Sequence, residues 1–343
     1  MRTALGAVSD RTLNRAIIGL GLTLVIGLPA IGLVYFLDRN VDPGLPIAER
    51  AIAAGEEAVR NEPNKLSNRL GLALAYAAAD RQTDAIAQFT EILRAEPANR
   101  AALLGRGDAY VATGDLDAAA RDYQALIDAA GSEEMANVDP RLEAAYYSLG
   151  SIALKQDRPR DAATMLAKAL LINRTDADAF NLMGTALLGI GDTTNAVDAL
   201  RRAIALVPSG WCAPYAQLVK AYTALGDTPG VQYATGMVAL CEKRPADAEQ
   251  QLKPLVDGAY GRDALIGLGL TAEALGNVDA AVSYYSRVYA ADPTDFDAVT
   301  GLNRLGASLP SDAPGTGTTS GGDVTPASPS GLSAPSAGPS AGN

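Results

Sequence analysis

The sequence predicts an all-α protein, an α-solenoid of stacked helix hairpins. A pair of residues twelve positions apart recurs six times; both are glycine or alanine in five pairs and valine in the sixth. Three of the five steps from one pair to the next span 34 or 35 residues. The first members are Ala73, Gly107, Gly150, Gly184, Val219 and Gly269, and the second are Ala85, Ala119, Ala162, Ala196, Val231 and Ala281. Such a unit has room for two helices and a turn, and its repetition indicates a solenoid.

Each unit is predicted to contain a first helix, a turn and a second helix. Apolar residues recur three or four positions apart, which places them on one helical face. In the fourth unit they are Leu182, Met183, Ala186, Leu187 and Ile190. A glycine follows the first helix in four units, at Gly114, Gly191, Gly226 and Gly276. Because glycine readily ends a helix and the Asp or Asn after it can cap the next one, this pair predicts the turn.

Four glycines fall in the middle of first helices, where glycine costs ~1 kcal/mol relative to alanine. They are Gly107, Gly150, Gly184 and Gly269. We expect close packing of the second helix to offset this cost, with the alanine twelve residues later providing the matching small surface. These glycines are therefore interpreted as structural. No glycine-rich loop in the chain is followed by the Lys-Ser or Lys-Thr of a nucleotide site.

The complete pattern stands in the second unit, at Leu103, Gly107, Tyr110, Gly114, Asp115, Ala119, Tyr123 and Leu126. This pattern and its period resemble the tetratricopeptide repeat (TPR) family, although the family's first-helix tryptophan is absent. The resemblance implies a TPR solenoid over residues 47–308. It comprises a half-unit at residues 47–63 and units that start near residues 66, 100, 143, 177, 212 and 262.

Two irregularities interrupt the period. An insertion at residues 131–139 lengthens one unit, and we expect a loop there. The second leaves room for an extra helix near residues 245–256, with Ala248, Leu252 and Leu255 on one face, which Pro254 can end early. Either feature can influence which partner binds, although insertions in loops are often simply tolerated.

The N-terminal region predicts a membrane anchor. Residues 16–37 are 22 consecutive uncharged residues, enough for a helix that crosses a hydrocarbon core of ~30 Å. We expect an uncleaved transmembrane signal anchor. The alternative is a cleaved signal peptide, whose apolar region spans only ~7–15 residues and ends at small residues. Leu28, Pro29 and Ala30 match that ending poorly.

Arginines on either side of this span predict its orientation. They are Arg2, Arg11 and Arg15 before the span and Arg39 after it. Because positively charged flanks stay in the cytoplasm, residues 1–15 are expected to be cytoplasmic. The linker at residues 38–46 and the repeats are then extracytoplasmic. The predicted location is the cell membrane, which the chain crosses once.

Residues 309–343 differ from the repeats in composition. They are rich in Pro, Ser, Gly and Thr and contain no Lys, Arg or aromatic residue. Such a segment buries too little apolar surface to offset the entropy of ordering it, so we expect a disordered tail.

The composition excludes several classes of function. The chain has no histidine, which removes the commonest general base and zinc ligand. We therefore expect no catalytic residue, metal site, cofactor or small-molecule substrate. A net charge of -11 and a pI near 4.6 argue against nucleic acid as a partner. Arginine outnumbers lysine 22 to 6 in an alanine-rich chain, which is typical of bacteria with GC-rich genomes.

The two cysteines belong to one unit. Cys212 opens its first helix and Cys241 falls near the end of its second, and antiparallel helices bring those two ends together. Outside the cytoplasm, a disulfide between them would close a loop of about 30 residues and stabilise the fold by ~3 kcal/mol. Two buried, reduced thiols are the alternative, and the sequence leaves both open.

By resemblance, the first helices line a concave groove that holds a peptide, an extended segment or a helix of another protein. The residues expected there are Leu70, Leu74, Leu104, Asp108, Tyr147, Ser148, Ser151, Asp178, Asn181, Thr185, Gln217, Lys220, Ile266 and Leu270. The best candidates for contact are Tyr147, Ser151, Asn181, Gln217 and Lys220. Between them they offer an aromatic ring, a hydroxyl, two amides and a long cation, which suit a peptide backbone. The set lacks the Lys and Arg cluster with which some family members bind a C-terminal carboxylate.

The predicted function is that of a membrane-anchored TPR scaffold that binds a protein or peptide segment and helps assemble or tether an envelope complex. A narrower hypothesis rests on layout, because one span followed by TPR units resembles the maturation factors that handle apocytochrome c. An enzyme or a cofactor carrier is the third possibility. The missing histidine, the absent haem-attachment motif and the absent nucleotide loop oppose it.

Overall fold

The computed structural model describes residues 46–130, 139–207 and 210–309. Within these ranges the regular structure consists of fifteen α-helices and one 3-10 turn, without a strand, so the all-α prediction is confirmed. The predicted span, most of the insertion and all but the first residue of the tail lie outside the described residues. No helix in the described ranges combines the length and apolar character needed to cross a bilayer.

The chain divides into two compact units, Met1–Glu242 and Lys243–Asn343. In the first, α1 (Ile47–Asn61) precedes five antiparallel hairpins, each packed on the next. Their helices are α2 (Leu66–Ala78) and α3 (Gln82–Ala95), α4 (Arg100–Thr113) and α5 (Leu116–Ala130), α6 (Pro140–Lys155) and α7 (Pro159–Ile172), α8 (Ala177–Gly189) and α9 (Thr193–Leu206), α10 (Ala213–Leu225) and α11 (Thr228–Cys241).

The second unit begins with α12 (Pro245–Leu252), which a 3-10 turn at Lys253–Leu255 follows. This helix is shorter than the extra helix expected near residues 245–256, because Pro254 has no N–H to continue the α-helical hydrogen bonding. The remaining helices are α13 (Gly261–Ala274), α14 (Val278–Ala291) and α15 (Phe296–Arg304). α12 packs on α13, α13 and α14 form a hairpin, and α15 packs against both.

Short polar side chains start many of the helices. Asp176 Oδ1, for example, accepts a hydrogen bond from the N–H of Ala179 at 2.9 Å. α6 begins at Pro140, ahead of the start near residue 143 that the repeat predicts. Asp139 caps the helix by accepting a hydrogen bond from the N–H of Arg141. Pro140 suits the first helical position because proline has no backbone N–H, and an N–H at this position would have no partner within the helix.

The mid-helix glycines make room for a large side chain of the second helix. A Cβ at Gly107 would lie 2.6 Å from the Tyr123 ring, and one at Gly269 would lie 2.3 Å from the ring of Tyr285. The large residue stands sixteen positions after the glycine, and leucine has the same place in two other hairpins. Close packing of the two helices is therefore present, but its nearest atoms belong to this side chain and not to the alanine that the sequence favoured.

Gly107→Ala is expected to destabilise the protein by about 1–2 kcal/mol, and Gly71→Ala to stabilise it by up to about 1 kcal/mol. A Cβ at Gly107 collides with Tyr123, whereas a Cβ at Gly71 meets no atom within 4 Å. Both glycines lie inside first helices, so the gain in helix propensity is similar and the difference isolates packing. Urea unfolding followed by circular dichroism measures both variants. Equal stabilisation would contradict the packing role of Gly107.

In several turns, a residue one or two positions past the end of a helix takes a left-handed backbone conformation. Lys243, which follows α11 by two positions, does so with φ 60°. Lys243→Gly is expected to stabilise the protein by about 1 kcal/mol, because a side chain at positive φ carries steric strain. Gly226 has φ 70° and open space around it, so Gly226→Ala should destabilise by a similar amount through the backbone alone. Urea midpoints test the pair, and shifts of the same sign would show that backbone strain does not control these turns.

Candidate protein-binding surface

The first helices of successive hairpins lie side by side in the compact unit Met1–Glu242. Each of α2, α4, α6 and α8 contacts the next first helix as well as its own hairpin partner. Among the described residues, successive second helices make fewer contacts with one another. The hairpins therefore converge on their first helices, which places these helices on the inner, concave side of this unit.

Two rows of side chains run across this surface. One row stands three positions before the small residue of α2, α4, α6 and α8, and the other stands one position after the small residue of these helices and of α10. We call these rows the first-helix strip, which comprises Leu70, Leu104, Tyr147 and Asn181 in one row and Leu74, Asp108, Ser151, Thr185 and Lys220 in the other. Four residues separate the rows, so both lie on the same helical face. The α2 end is apolar, and Leu74 there is 53% exposed.

The predicted contact residues lie on three neighbouring first helices. Tyr147 and Ser151 are on α6, Asn181 is on α8, and Gln217 and Lys220 are on α10. Lys220 is exposed and the other four are half-buried. Gln217 is three residues from Lys220 and borders the strip. The predicted groove residues Ile266 and Leu270 belong to α13 of the second unit, where both are half-buried.

Asn181 carries an unusual acceptor. Its Oδ1 atom is buried and has no hydrogen-bond partner among the described residues. A buried polar atom without a partner costs about 1–3 kcal/mol, so proteins seldom retain one without a reason. Because the atom is shielded in this conformation, a donor from another molecule would reach it only after the Asn181 side chain turns outward.

Two carboxyl groups meet beside Tyr147. Glu143 of α6 shares a hydrogen bond with Asp176, which precedes α8, and burial together with this neighbour raises the pKa of Glu143 to about 7. Sequence reasoning missed both residues. Glu143 stands four positions before Tyr147 on the same helical face, which was an available signal. Asp176 was not foreseen as its partner, because their contact depends on how α6 and α8 approach each other.

The surroundings of Tyr147 are acidic. Burial raises the pKa of its phenol, and the nearby carboxylates of Asp178, Asp176 and Glu143 raise it further. These groups lie toward the N-terminal ends of α6 and α8. Lys220 carries the opposite charge on α10. The surface beside the strip is therefore acidic near the N-terminal ends of α6 and α8, and the strip has a cation on α10.

A second-helix tyrosine reaches the same surface from below. The Tyr123 hydroxyl donates a 2.6 Å hydrogen bond to Asp108 Oδ1 and also lies within hydrogen-bonding reach of Ser148. Burial and the Asp108 carboxylate raise the pKa of Tyr123, which therefore remains a neutral donor at physiological pH. Asp108 and Ser148 were expected in the groove, but nothing in the sequence indicated that a core tyrosine connects them.

Cys212 and Cys241 are not part of the strip, but they belong to the same hairpin as Gln217 and Lys220. Cys212 immediately precedes α10 and Cys241 is the last residue of α11. Both thiols are free and half-buried. No group of three or more Cys, Asp or Glu residues in the described ranges is arranged to hold a metal ion.

The carboxyl pair predicts a pH dependence of stability. The pKa of Glu143 is raised on folding, so the folded state favours its protonated form. The resulting contribution to stability is full below the unfolded pKa of about 4.5 and is lost as the pH rises to about 7. Glu143→Gln keeps a hydrogen-bond donor to Asp176 without the charge.

We therefore expect Glu143→Gln to raise the melting temperature at pH 8 and to leave it nearly unchanged at pH 4. Thermal unfolding at both pH values measures the effect. Glu249→Gln is a control, because Glu249 pairs with exposed Lys253 and contacts no carboxylate partner of this kind. A stabilisation of Glu143→Gln that is equal at both pH values would contradict the proposed ionisation.

The comparisons with known proteins agree with the architecture. A sequence-family model described as tetratricopeptide repeat matches residues 70–134, 147–210 and 215–296, more than half of the 343 residues. No curated protein sequence is significantly similar to the chain. The matched residues include all five predicted contact residues.

Several solved structures match parts of this chain. MamA has a TM-score of 0.46 and 22% identity, over 53% of this chain and 93% of MamA. YrrB, described as a TPR protein with an unusual peptide-binding site, has a TM-score of 0.49 and 18% identity, over 59% of this chain and 100% of YrrB. A tetratricopeptide repeat protein from Parabacteroides merdae ATCC 43184 has a TM-score of 0.44 and 15% identity, over 80% of this chain and 96% of that one.

Proposed function

The chain belongs to the tetratricopeptide repeat family, and from this premise we propose that it is an interaction scaffold. Its first-helix strip binds an extended segment of a partner protein. TPR proteins are generally interaction scaffolds and not enzymes. The composition points the same way, because a chain without histidine lacks the commonest acid-base catalyst.

The observation that carries the proposal is the unpaired Oδ1 of Asn181. An extended segment exposes backbone N–H groups that have no partner within the segment itself. One such group seated over α8 supplies the missing donor once the Asn181 amide turns outward to meet it. Gln217 and Lys220 on the next first helix can donate to backbone carbonyls of the same segment, since an amide and an ammonium group are both donors.

The charges of the strip favour a particular segment. Glu143, Asp176 and Asp178 surround Tyr147, so a Lys or Arg side chain of the partner gains attraction there. A Tyr ring also attracts a cation that lies over its face. Beyond this acidic area, Leu104 and Leu74 offer contact to an apolar side chain. The proposed ligand is therefore an extended segment with a basic residue flanked on one side by an apolar one.

The scaffold is proposed to be tethered to the cell membrane through residues 16–37, with the repeats outside the cytoplasm. The 22 uncharged residues of that segment and the arginines before it support this arrangement. A tether would hold the strip close to the bilayer, where a protein of an envelope complex could be captured. Such a role in assembly or tethering is the broader form of the proposal.

Asn181→Leu is expected to separate stability from binding. The substitution removes the buried acceptor, so it should stabilise the folded protein by about 1 kcal/mol. The same change should weaken peptide binding several-fold, because the partner's N–H loses its acceptor. Thermal unfolding measures the first effect and fluorescence anisotropy of a labelled peptide measures the second. Loss of stability with unchanged binding would reject the role of Asn181.

The probe is chosen from an array of extended peptides that differ in the charge of one central residue. Full-length protein in detergent is expected to retain basic peptides, to bind neutral ones less, and to bind acidic ones least. Asp178→Asn should weaken binding of the basic peptide, whereas the same change at exposed Asp198, on second helix α9, should not. Equal weakening by both variants would indicate a general charge effect and not a site.

The narrower hypothesis of apocytochrome c handling can be tested with the same materials. A peptide from an apocytochrome would have to compete with the array peptide for the strip and lose affinity with Asn181→Leu. Competition without that loss would place the apocytochrome elsewhere on the protein. An absence of competition would leave the general scaffold as the only form of the proposal.

A further inference from the structure

The two cysteines meet at the open end of the α10/α11 hairpin. Cys212 stands just before α10 and Cys241 ends α11, and the two helices pack antiparallel, so both positions fall at the end opposite the connecting turn. The Cys212 side chain also lies near enough to raise the pKa of the Cys241 thiol. The fold therefore brings the two thiols to the same end of one hairpin.

The chain offers these two thiols no other partner of their kind. It contains two cysteines in all. Both are half-buried, so a reagent can reach them but a second protein molecule has limited access. We propose that Cys212 and Cys241 form an intramolecular disulfide that fastens the open end of the α10/α11 hairpin in an oxidising compartment.

Thiol–disulfide exchange with an external disulfide supplies the oxidant. Burial and the neighbouring Cys212 raise the pKa of Cys241 to about 12, which disfavours its thiolate, so exchange is proposed to begin at Cys212. Cys212 loses its proton, bonds to one sulfur of the oxidant and releases the other as a thiol after protonation. Cys241 then loses its proton, attacks the sulfur of Cys212 and expels the second thiol. Two cysteine thiols are oxidised and one external disulfide is reduced to two thiols.

The bond would close a loop that contains both helices of the hairpin. Its other end is already held by the turn at Gly226 and Asp227, where the Asp227 N–H bonds to the Tyr222 carbonyl. Between the ends, the Tyr215 and Tyr233 rings pack edge to face with centroids 6.3 Å apart. A disulfide therefore adds a covalent constraint at the end that these interactions leave open. Gln217 and Lys220 lie on the constrained hairpin.

The test uses full-length protein in detergent, incubated with oxidised glutathione and then alkylated without reduction. We expect neither cysteine to be alkylated and the intact mass to fall by two hydrogen atoms. Cys212→Ser and Cys241→Ser should each leave one cysteine open to alkylation or glutathione. This treatment supplies its own oxidant, so the result does not depend on where the protein resides in the cell or on peptide binding.

Stability provides a second readout. Reduction should lower the melting temperature of the oxidised protein by roughly 5 °C or more, and should not change that of Cys212→Ser. Alkylation of both thiols after the oxidation step would overturn the proposal. So would separate glutathione adducts on the two cysteines, or a covalent dimer in place of the internal bond.

Discussion

The structure depends on one recurring contact, in which a large side chain of the second helix presses against a glycine in the middle of the first helix in four hairpins. Tyr123 meets Gly107 in this way, and Tyr285 meets Gly269. Tyr123 and Tyr285 are each only 1% exposed, so the contact lies at the centre of its hairpin. Glycine at these sites loses about 1 kcal/mol of helix propensity, but a methyl group would displace a buried ring, which costs more. The small residue therefore fixes how closely the two helices approach.

This contact also joins the core to the surface. The Tyr123 hydroxyl passes beside its glycine and donates to Asp108 on the first-helix face, and the Tyr285 hydroxyl donates to Glu273 at 2.5 Å. Burial opposes ionisation of Glu273, but its hydrogen bonds from Arg304 and Tyr285 outweigh burial and lower the pKa of this carboxyl. A side chain chosen for packing thereby orients a charged group on the surface. Packing of the hairpin and the arrangement of its polar face are consequently not independent.

The sequence predicted what the period controls and missed what depends on the approach of neighbouring helices. The spacing places Tyr147 and Asn181 at equivalent positions, 34 residues apart, on successive first helices. Turn chemistry likewise marked the helix ends, since glycine and aspartate act through local backbone geometry. The partner of Gly107 was assigned to Ala119, because spacing identifies the facing helix but not which of its side chains fills the gap. The contact between Glu143 and Asp176 was missed for the same reason, as it depends on the angle between α6 and α8.

Polar groups that lack a favourable partner lie on or beside the strip, whereas a polar group near the core is paired. Arg106 and buried Asp122 form two hydrogen bonds of 2.7 Å, so a charged pair near the core is fully matched. On the strip, by contrast, Asn181 keeps an acceptor without a donor, and beside it Glu143 is held against another carboxyl group. The Arg106–Asp122 pair shows that this fold can match a buried polar group, and an apolar residue at position 181 would have avoided the unpaired acceptor of Asn181. Both costs fall on the face that we propose as the binding surface, where a partner would supply the donor and the positive charge that the protein itself lacks.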